Sequence, residues 1–288
     1  MEFFLVSTDH LSDRLWFRDD NDYKAGMNLV AAVASLTGVN VLAFILMSNH
    51  VHFVLECSES KARLFINQFK KYHGQYLSNK YGSKKVLRRV GIDIRLIDPI
   101  DESLERAIAY VLMNCVAANI CLNASDYPWG SGASYFRLSP VKGQKLHELS
   151  SRAQIRLLHC KASLPDDYLV LEDGYIAPES YVKTAFVESL FRSPKRMNYF
   201  LINSSKAKKV LALGETAMPS FKDQVVLSAT IDMCHSIFHK NQISDLNGDQ
   251  RVKLVRQIHR RFSSNVNQIS RVTGIPDKEV AEMLDRFW

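Results

Sequence analysis

The chain has 288 residues, of which 47% are hydrophobic and 23% charged. That is enough for one large domain or two modest ones with packed cores, and the composition excludes a disordered or fibrous chain. No apolar run approaches the roughly 20 residues of a membrane span, so a helical membrane protein is excluded too. The opening stretch MEFFLVSTDH has no basic leader and no small-residue cleavage site, and a cytoplasmic protein is expected. Five cysteines without a CxxC pair speak against a zinc ribbon or a disulfide framework. The net charge of +7 is unevenly spread: residues 61–95 carry ten Lys/Arg against one acid, and residues 251–288 carry eight against four. Concentrated positive charge of this kind is the electrostatic footprint of a phosphate-backbone binder.

In chain order, EFFLVST (2–8) suits a strand, and residues 20–37 suit a helix with Ala25, Leu29, Val33 and Leu36 near helical spacing, closed by Gly38. VNVLAFILM (39–47) reads as an apolar strand. Ser48-Asn49 forms a turn, and HVHFVLE (50–56) a second strand. Residues 60–81 read as a basic amphipathic helix with Leu64, Phe65, Phe69, Tyr72 and Tyr76 inward. GIDIRLID (91–98) alternates as a strand should, and Asp101 caps a helix over about 102–120. The order β-α-β-β-α-β predicts an α+β fold: a ferredoxin-like split β-α-β domain, an antiparallel sheet with helices on one face. A turn-rich segment, PWGSGASYF (128–136), and several short helices over 145–215 follow. Boundaries are expected near 215–220 and at the polar run SDLNGDQ (244–250). The expected division is 1–140, 141–219 as a helical linker, and 220–288 as a helical domain.

Three features carry chemistry. In His50-Val51-His52 both imidazoles point to one face of a strand, because alternate residues do, so both can reach one metal ion. Tyr110 and Asn114 lie one helical turn apart and share a face. The basic helix at 60–81 follows the histidine strand directly. Each feature alone is weak, since a His-x-His can line an ordinary polar face and a helical tyrosine is more often packing.

Together they resemble a known family. AFILMSNHVHFVLE (43–56) resembles the His-hydrophobic-His (HUH) segment of insertion-sequence and REP-associated single-tyrosine transposases. LWFRDDNDY (15–23) resembles the family's lead into its first helix, and AYVLMNCVAANICLNASDYPWGSGASYF (109–136) its tyrosine helix and the segment after it. The likeness is colinear over roughly residues 1–140. It implies that His50 and His52 are metal ligands, Asn114 the third ligand, and Tyr110 the nucleophile that forms a 5′-phosphotyrosine link. It further implies Mg²⁺ or Mn²⁺ as cofactor, single-stranded or hairpin DNA as partner, and action as a monomer or homodimer. The chain departs from the family at Ser48, where Pro is usual, at Asn114-Cys115, where Asn-Pro is usual, and in YGSKKVLRRVGIDI, which lacks the usual aromatics. Its DNA contacts are therefore expected to differ.

Lys61, Arg63, Lys70, Lys71, Lys84, Lys85, Arg88 and Arg89 are the candidate backbone contacts of the first basic cluster. In the C-terminal region, RVKLVRQIHRRF (251–262) makes a basic helix, and NQISRVTGIPDKEVAEMLDRF (267–287) has the layout of a helix-turn-helix around Gly274. Its expected core is Ile269, Val272, Ile275, Val280 and Leu284. Lys278, Glu279 and Glu282 then sit on the recognition helix, where two acids match DNA poorly, so Arg256, Arg260, Arg261 and Arg271 are the expected contacts to duplex DNA. The functional expectation is a single-strand DNA nuclease and strand transferase. The alternative is a domesticated DNA-binding regulator that keeps the fold without cleavage.

Overall fold

The computed structural model describes residues 2–11, 14–82, 87–204 and 221–285. They form two compact units: one from Met1–Asp9, Asp20–Met47 and Val51–Ala217, the other from His10–Asp19, Ser48–His50 and Met218–Trp288.

The first unit is α+β. Its strands are β1 (Phe3–Thr8), β2 (Asn40–Met47), β3 (His50–Glu56) and β4 (Ile92–Ile97), hydrogen-bonded in the order β2-β3-β1-β4. β1 runs antiparallel to β3, with Ser7 opposite His52, and antiparallel to β4, with Ser7 opposite Asp93. Helices α1 (Asp20–Thr37) and α2 (Glu59–Tyr81) make the two crossovers of the split β-α-β arrangement. Gly38, at φ +60°, ends α1 in a left-handed conformation that a residue with a Cβ adopts only at a cost.

Alternation along β3 sorts the faces. Phe53 meets the rings of Phe65 and Phe69 on α2 edge-on, with centroids 5.0 and 5.5 Å apart. His52, one residue earlier, points the other way, toward Tyr110 on α3 (Ser103–Leu112). The two crossover helices pack together, with α2 on one face of the sheet, and α3, the helix after the last strand, lies on the other. The inner side of α2 is also rotated from expectation. Phe65, Ile66, Phe69, His73 and Leu77 are buried, while Leu64 is 46% exposed. Long polar stretches leave a helical stripe under-determined by a few apolar residues, and tertiary packing picks the face.

Two further expectations change. Asp101 and Glu102 both take left-handed backbone (φ 53° and 62°), and no side chain caps α3. The helix expected over 102–120 breaks at Met113, after which a short turn α4 (Asn114–Ala117) continues. The segment around 128–136 lies along the outer edge of β2. The amide of Leu46 donates to Trp129 O and that of Ser131 to Phe44 O, and the Tyr135 hydroxyl donates to Leu42 O. These bonds satisfy an edge that would otherwise offer its backbone to another chain. Beyond it come α5 (Ser151–Leu158), α6 (Thr184–Phe191) and α7 (Pro194–Ile202), with a two-residue strand pair, β5 (Gln144–Lys145) and β6 (Leu169–Val170).

The second unit holds α8 (Asp223–Phe238), α9 (Gly248–Phe262), α10 (Val266–Thr273) and α11 (Asp277–Asp285). Val226, Met233, Leu254, Ile258, Ile269, Val272, Ile275 and Val280 share one core, joined by Leu15 from the N-terminal segment. The polar run at 244–250 is a turn inside this unit, not a boundary: Asn247 and Gln250 form a reciprocal capping box that starts α9. Gly274, at φ 72°, makes the turn between α10 and α11 as the sequence predicts. The boundary expected near 215–220 lies outside the described residues. Among the described residues no helix is long and apolar enough to cross a membrane, and the five cysteines are free thiols.

Candidate metal and nucleophile site

The site starts from the turn before β3. The amide group of Asn49 donates from Nδ2 to Leu11 O at 2.8 Å, which fixes its orientation and leaves Oδ1 facing the His50 ring. His50 Nδ1 sits 2.8 Å from that oxygen. An amide oxygen only accepts, so Nδ1 carries the proton and Nε2 is left as the ligand atom. His50 and His52 are both buried, at 5% and 4% exposure, and share a face of β3.

A third imidazole joins them. The ring of His10, just past β1, stacks on that of His50 with centroids 3.7 Å apart and planes 14° from parallel. One ligand nitrogen from each of His10, His50 and His52 lies within 4.8 Å of the others. The sequence gives no spacing that couples His10 to His50. The signal is the antiparallel β1–β3 register, which brings the end of β1 beside the start of β3. Three neutral imidazole nitrogens suit a divalent ion of borderline hardness, so the residues present can hold a metal.

Tyr110 projects from α3, whose buried side carries Leu104, Ile108, Val111 and Leu112. Its half-buried ring meets His52 edge-on, with centroids 5.7 Å apart and planes at 87°. Asn114 lies beyond the helix break. Its Nδ2 donates back to Tyr110 O at 2.9 Å and to Val111 O at 3.1 Å, taking over carbonyls that the interrupted helix leaves open. The amide nitrogen is thus committed to the end of α3, and Oδ1 is the atom Asn114 can offer a ligand.

The basic residues fall into different settings. Lys71, Arg88 and Arg89 are exposed, and Lys71 lies over the ring of Tyr72, 5.3 Å from its centroid. Lys61 is exposed near Gly38 O at 3.4 Å, and Arg63 pairs with Glu59 at 3.0 Å. Lys70 is buried and donates to Val90 O, and desolvation lowers its pKa. Lys84 and Lys85 lie outside the described residues. Arg260 and Arg261 are exposed in the last turn of α9, and Arg256 Nε donates to Met283 O at 3.3 Å. The guanidinium of Arg271 grips the Asp223 carboxylate at 3.0 and 3.2 Å. Lys278, Glu279 and Glu282 are exposed on α11.

No protein-family model and no curated protein matches the chain. Among solved structures, it is similar to a REP-associated tyrosine transposase bound to a REP hairpin, with a TM-score of 0.37 and 14% identity, over 50% of this chain and 86% of that one.

Proposed function

We propose that the chain is a metal-dependent enzyme that cuts and rejoins single-stranded DNA, with Tyr110 as nucleophile and a divalent ion held by His50 and His52. The observation that carries this reading is the edge-on approach of Tyr110 to His52, 5.7 Å between ring centroids, beside three clustered imidazoles. Tyr110 lies against the face of β3 that carries His50 and His52, so its phenol is close to where those two residues would hold an ion. The colinear sequence likeness over residues 1–140 supports the same reading.

In this account the Tyr110 hydroxyl gives up its proton as its oxygen attacks a backbone phosphorus. A phosphorus–oxygen bond forms to Tyr110, the bond to the 3′ oxygen breaks, and that oxygen leaves as a 3′-hydroxyl after taking a proton. The 5′-phosphotyrosine link keeps the bond energy, so a later 3′-hydroxyl can reverse the step and join strands without a nucleotide cofactor. A bound ion supplies Lewis-acid polarisation of the scissile phosphate. His50 and His52 would hold the ion, with Asn49 fixing the His50 tautomer, and His10 and Asn114 Oδ1 would be the further ligands. A nitrogen-rich set favours Mn²⁺ over Mg²⁺ and also admits Zn²⁺. Exposed cations such as Arg88, Arg89 and Lys71 draw in the strand, and α9 to α11 serve a duplex segment.

The test is strand cleavage of labelled hairpin-bearing single-stranded DNA with Mn²⁺ or EDTA. The native chain is expected to cut only with the metal, and Tyr110→Phe to bind the DNA without cutting. Equal cleavage by Tyr110→Phe contradicts the assignment.

A further inference from the structure

The turn that presents His50 is held by side chains from far along the chain. Residues Ser48–His50 belong to the same compact unit as the C-terminal helices. The Ser48 hydroxyl donates to Asp223 Oδ2 at 2.6 Å. Asp223 opens α8, and its side chain is only 5% exposed. The same carboxylate accepts from both arms of Arg271, and from Gln268 Nε2 at 2.9 Å, both residues of α10. A buried carboxylate with this many donors is fully compensated and holds its partners in a single arrangement.

The rest of the turn is equally committed. Ser48 O accepts from the amides of Trp16 and Phe17 at 2.7 and 3.1 Å, and Asn49 O from Leu11 at 3.1 Å. Gln224, next to Asp223, donates to Phe17 O at 2.9 Å. A continuous path therefore runs from Arg271 through Asp223 and Ser48 to Asn49, whose Oδ1 meets His50 Nδ1.

We propose that Asp223 is a positioning residue for the metal ligand His50, acting through Ser48, so that the C-terminal helices are part of the metal site's scaffold. This rests on the reading that His50 holds a metal. Groups behind the ligands that orient them commonly govern metal affinity by roughly 10- to 100-fold. A turn held by several other hydrogen bonds lies at or below the low end of that range.

The test is Mn²⁺ titration of the full-length chain, reading the electron-spin signal of free Mn²⁺, with a thermal melt of each variant. Ser48→Ala is expected to weaken Mn²⁺ binding by about 3- to 10-fold while melting as the native chain does. Ser48→Thr, which keeps the hydroxyl, is expected to bind nearly as the native chain. Asp223→Asn is expected to weaken binding as well, and the double variant Ser48→Ala/Asp223→Asn no further, because both changes cut the same path. A folded Ser48→Ala with native affinity overturns the proposal, as do additive losses in the double variant. His52→Ala separates this result from the underlying reading. If the native chain binds Mn²⁺ and His52→Ala does not, an unchanged Ser48→Ala defeats only the positioning role. If the native chain itself binds none, both the reading and the positioning role fall.

Discussion

His10 shows how a site residue can be invisible in a sequence and plain in a fold. His50 and His52 are legible because a strand repeats every two residues, a rule that acts within one element. His10 joins them through strand pairing, and register between strands is a property of the sheet, not of any local spacing. If His10 supplies a ligand nitrogen, His10→Ala weakens Mn²⁺ binding by about tenfold or more, measured by calorimetric titration of the folded chain. Native affinity in that variant would restrict the ligand set to β3 and Asn114. A second histidine reports on stability. His73 is fully buried between Phe69 and Tyr76, with Nε2 3.2 Å from Asp22 O, and burial pushes its pKa from 6.5 down to about 3. The unfolded chain therefore takes up this proton first. The stability tied to a neutral His73 is complete above pH 6.5 and is lost as pH falls from there toward 3. At pH 5 the loss is about 2 kcal/mol. Urea unfolding at pH 7 and pH 5 should show the native chain losing that much more than His73→Phe. An equal loss in both proteins would place the acid sensitivity elsewhere.

At the scale of elements, the sequence specifies existence and order better than facing and ends. α1, β2, β3 and β4 fall within a residue or two of expectation because each is a periodic or β-rich run bounded by turn residues. The break in the tyrosine helix carries no glycine or proline to announce it. Met113 is an ordinary helical residue and Asn114 only a mildly unfavourable one, and it is the Asn114 side chain, bonded back to Tyr110 O, that shows the backbone ladder has been replaced. The segment 128–136 reads as a turn-rich loop, yet it works as a cover for the β2 edge. Gly130 pairs with Ile45 across an isolated antiparallel bridge, and a Cβ there would lie 2.8 Å from Phe44 O and 3.3 Å from Ile45 Cα. Backbone atoms of a central sheet cannot give way as a flexible side chain does. Gly130→Ala is expected to destabilise the protein by about 1–3 kcal/mol, as overpacking generally does. A denaturant midpoint unchanged from the native protein would mean that the edge cover is looser than its hydrogen bonds imply.

For the whole molecule, composition and order pointed to the α+β architecture, and the strand order β2-β3-β1-β4 is the one that the split β-α-β connectivity produces. The assignment of segments to units could not be read the same way. Residues His10–Asp19 and Ser48–His50 group with the C-terminal helices, because Leu15 enters their core and Ser48 reaches Asp223. Such contacts, between residues 175 positions apart in the chain, leave no local trace. The basic clusters are similarly mixed. Exposed Arg88, Arg89, Arg260 and Arg261 are available to a phosphate backbone, whereas Lys70 and Arg271 are turned to internal partners, which a count of charges does not separate. The central claim remains that Tyr110 forms a covalent bond to DNA. It is tested most directly by trapping the native chain on single-stranded hairpin DNA with Mn²⁺, digesting the product, and locating the modified residue by mass spectrometry. The account predicts a nucleotide linked through phosphate to the Tyr110 peptide, absent when EDTA replaces the metal. A linkage at any other residue, or cleaved DNA with no covalent protein, would contradict it.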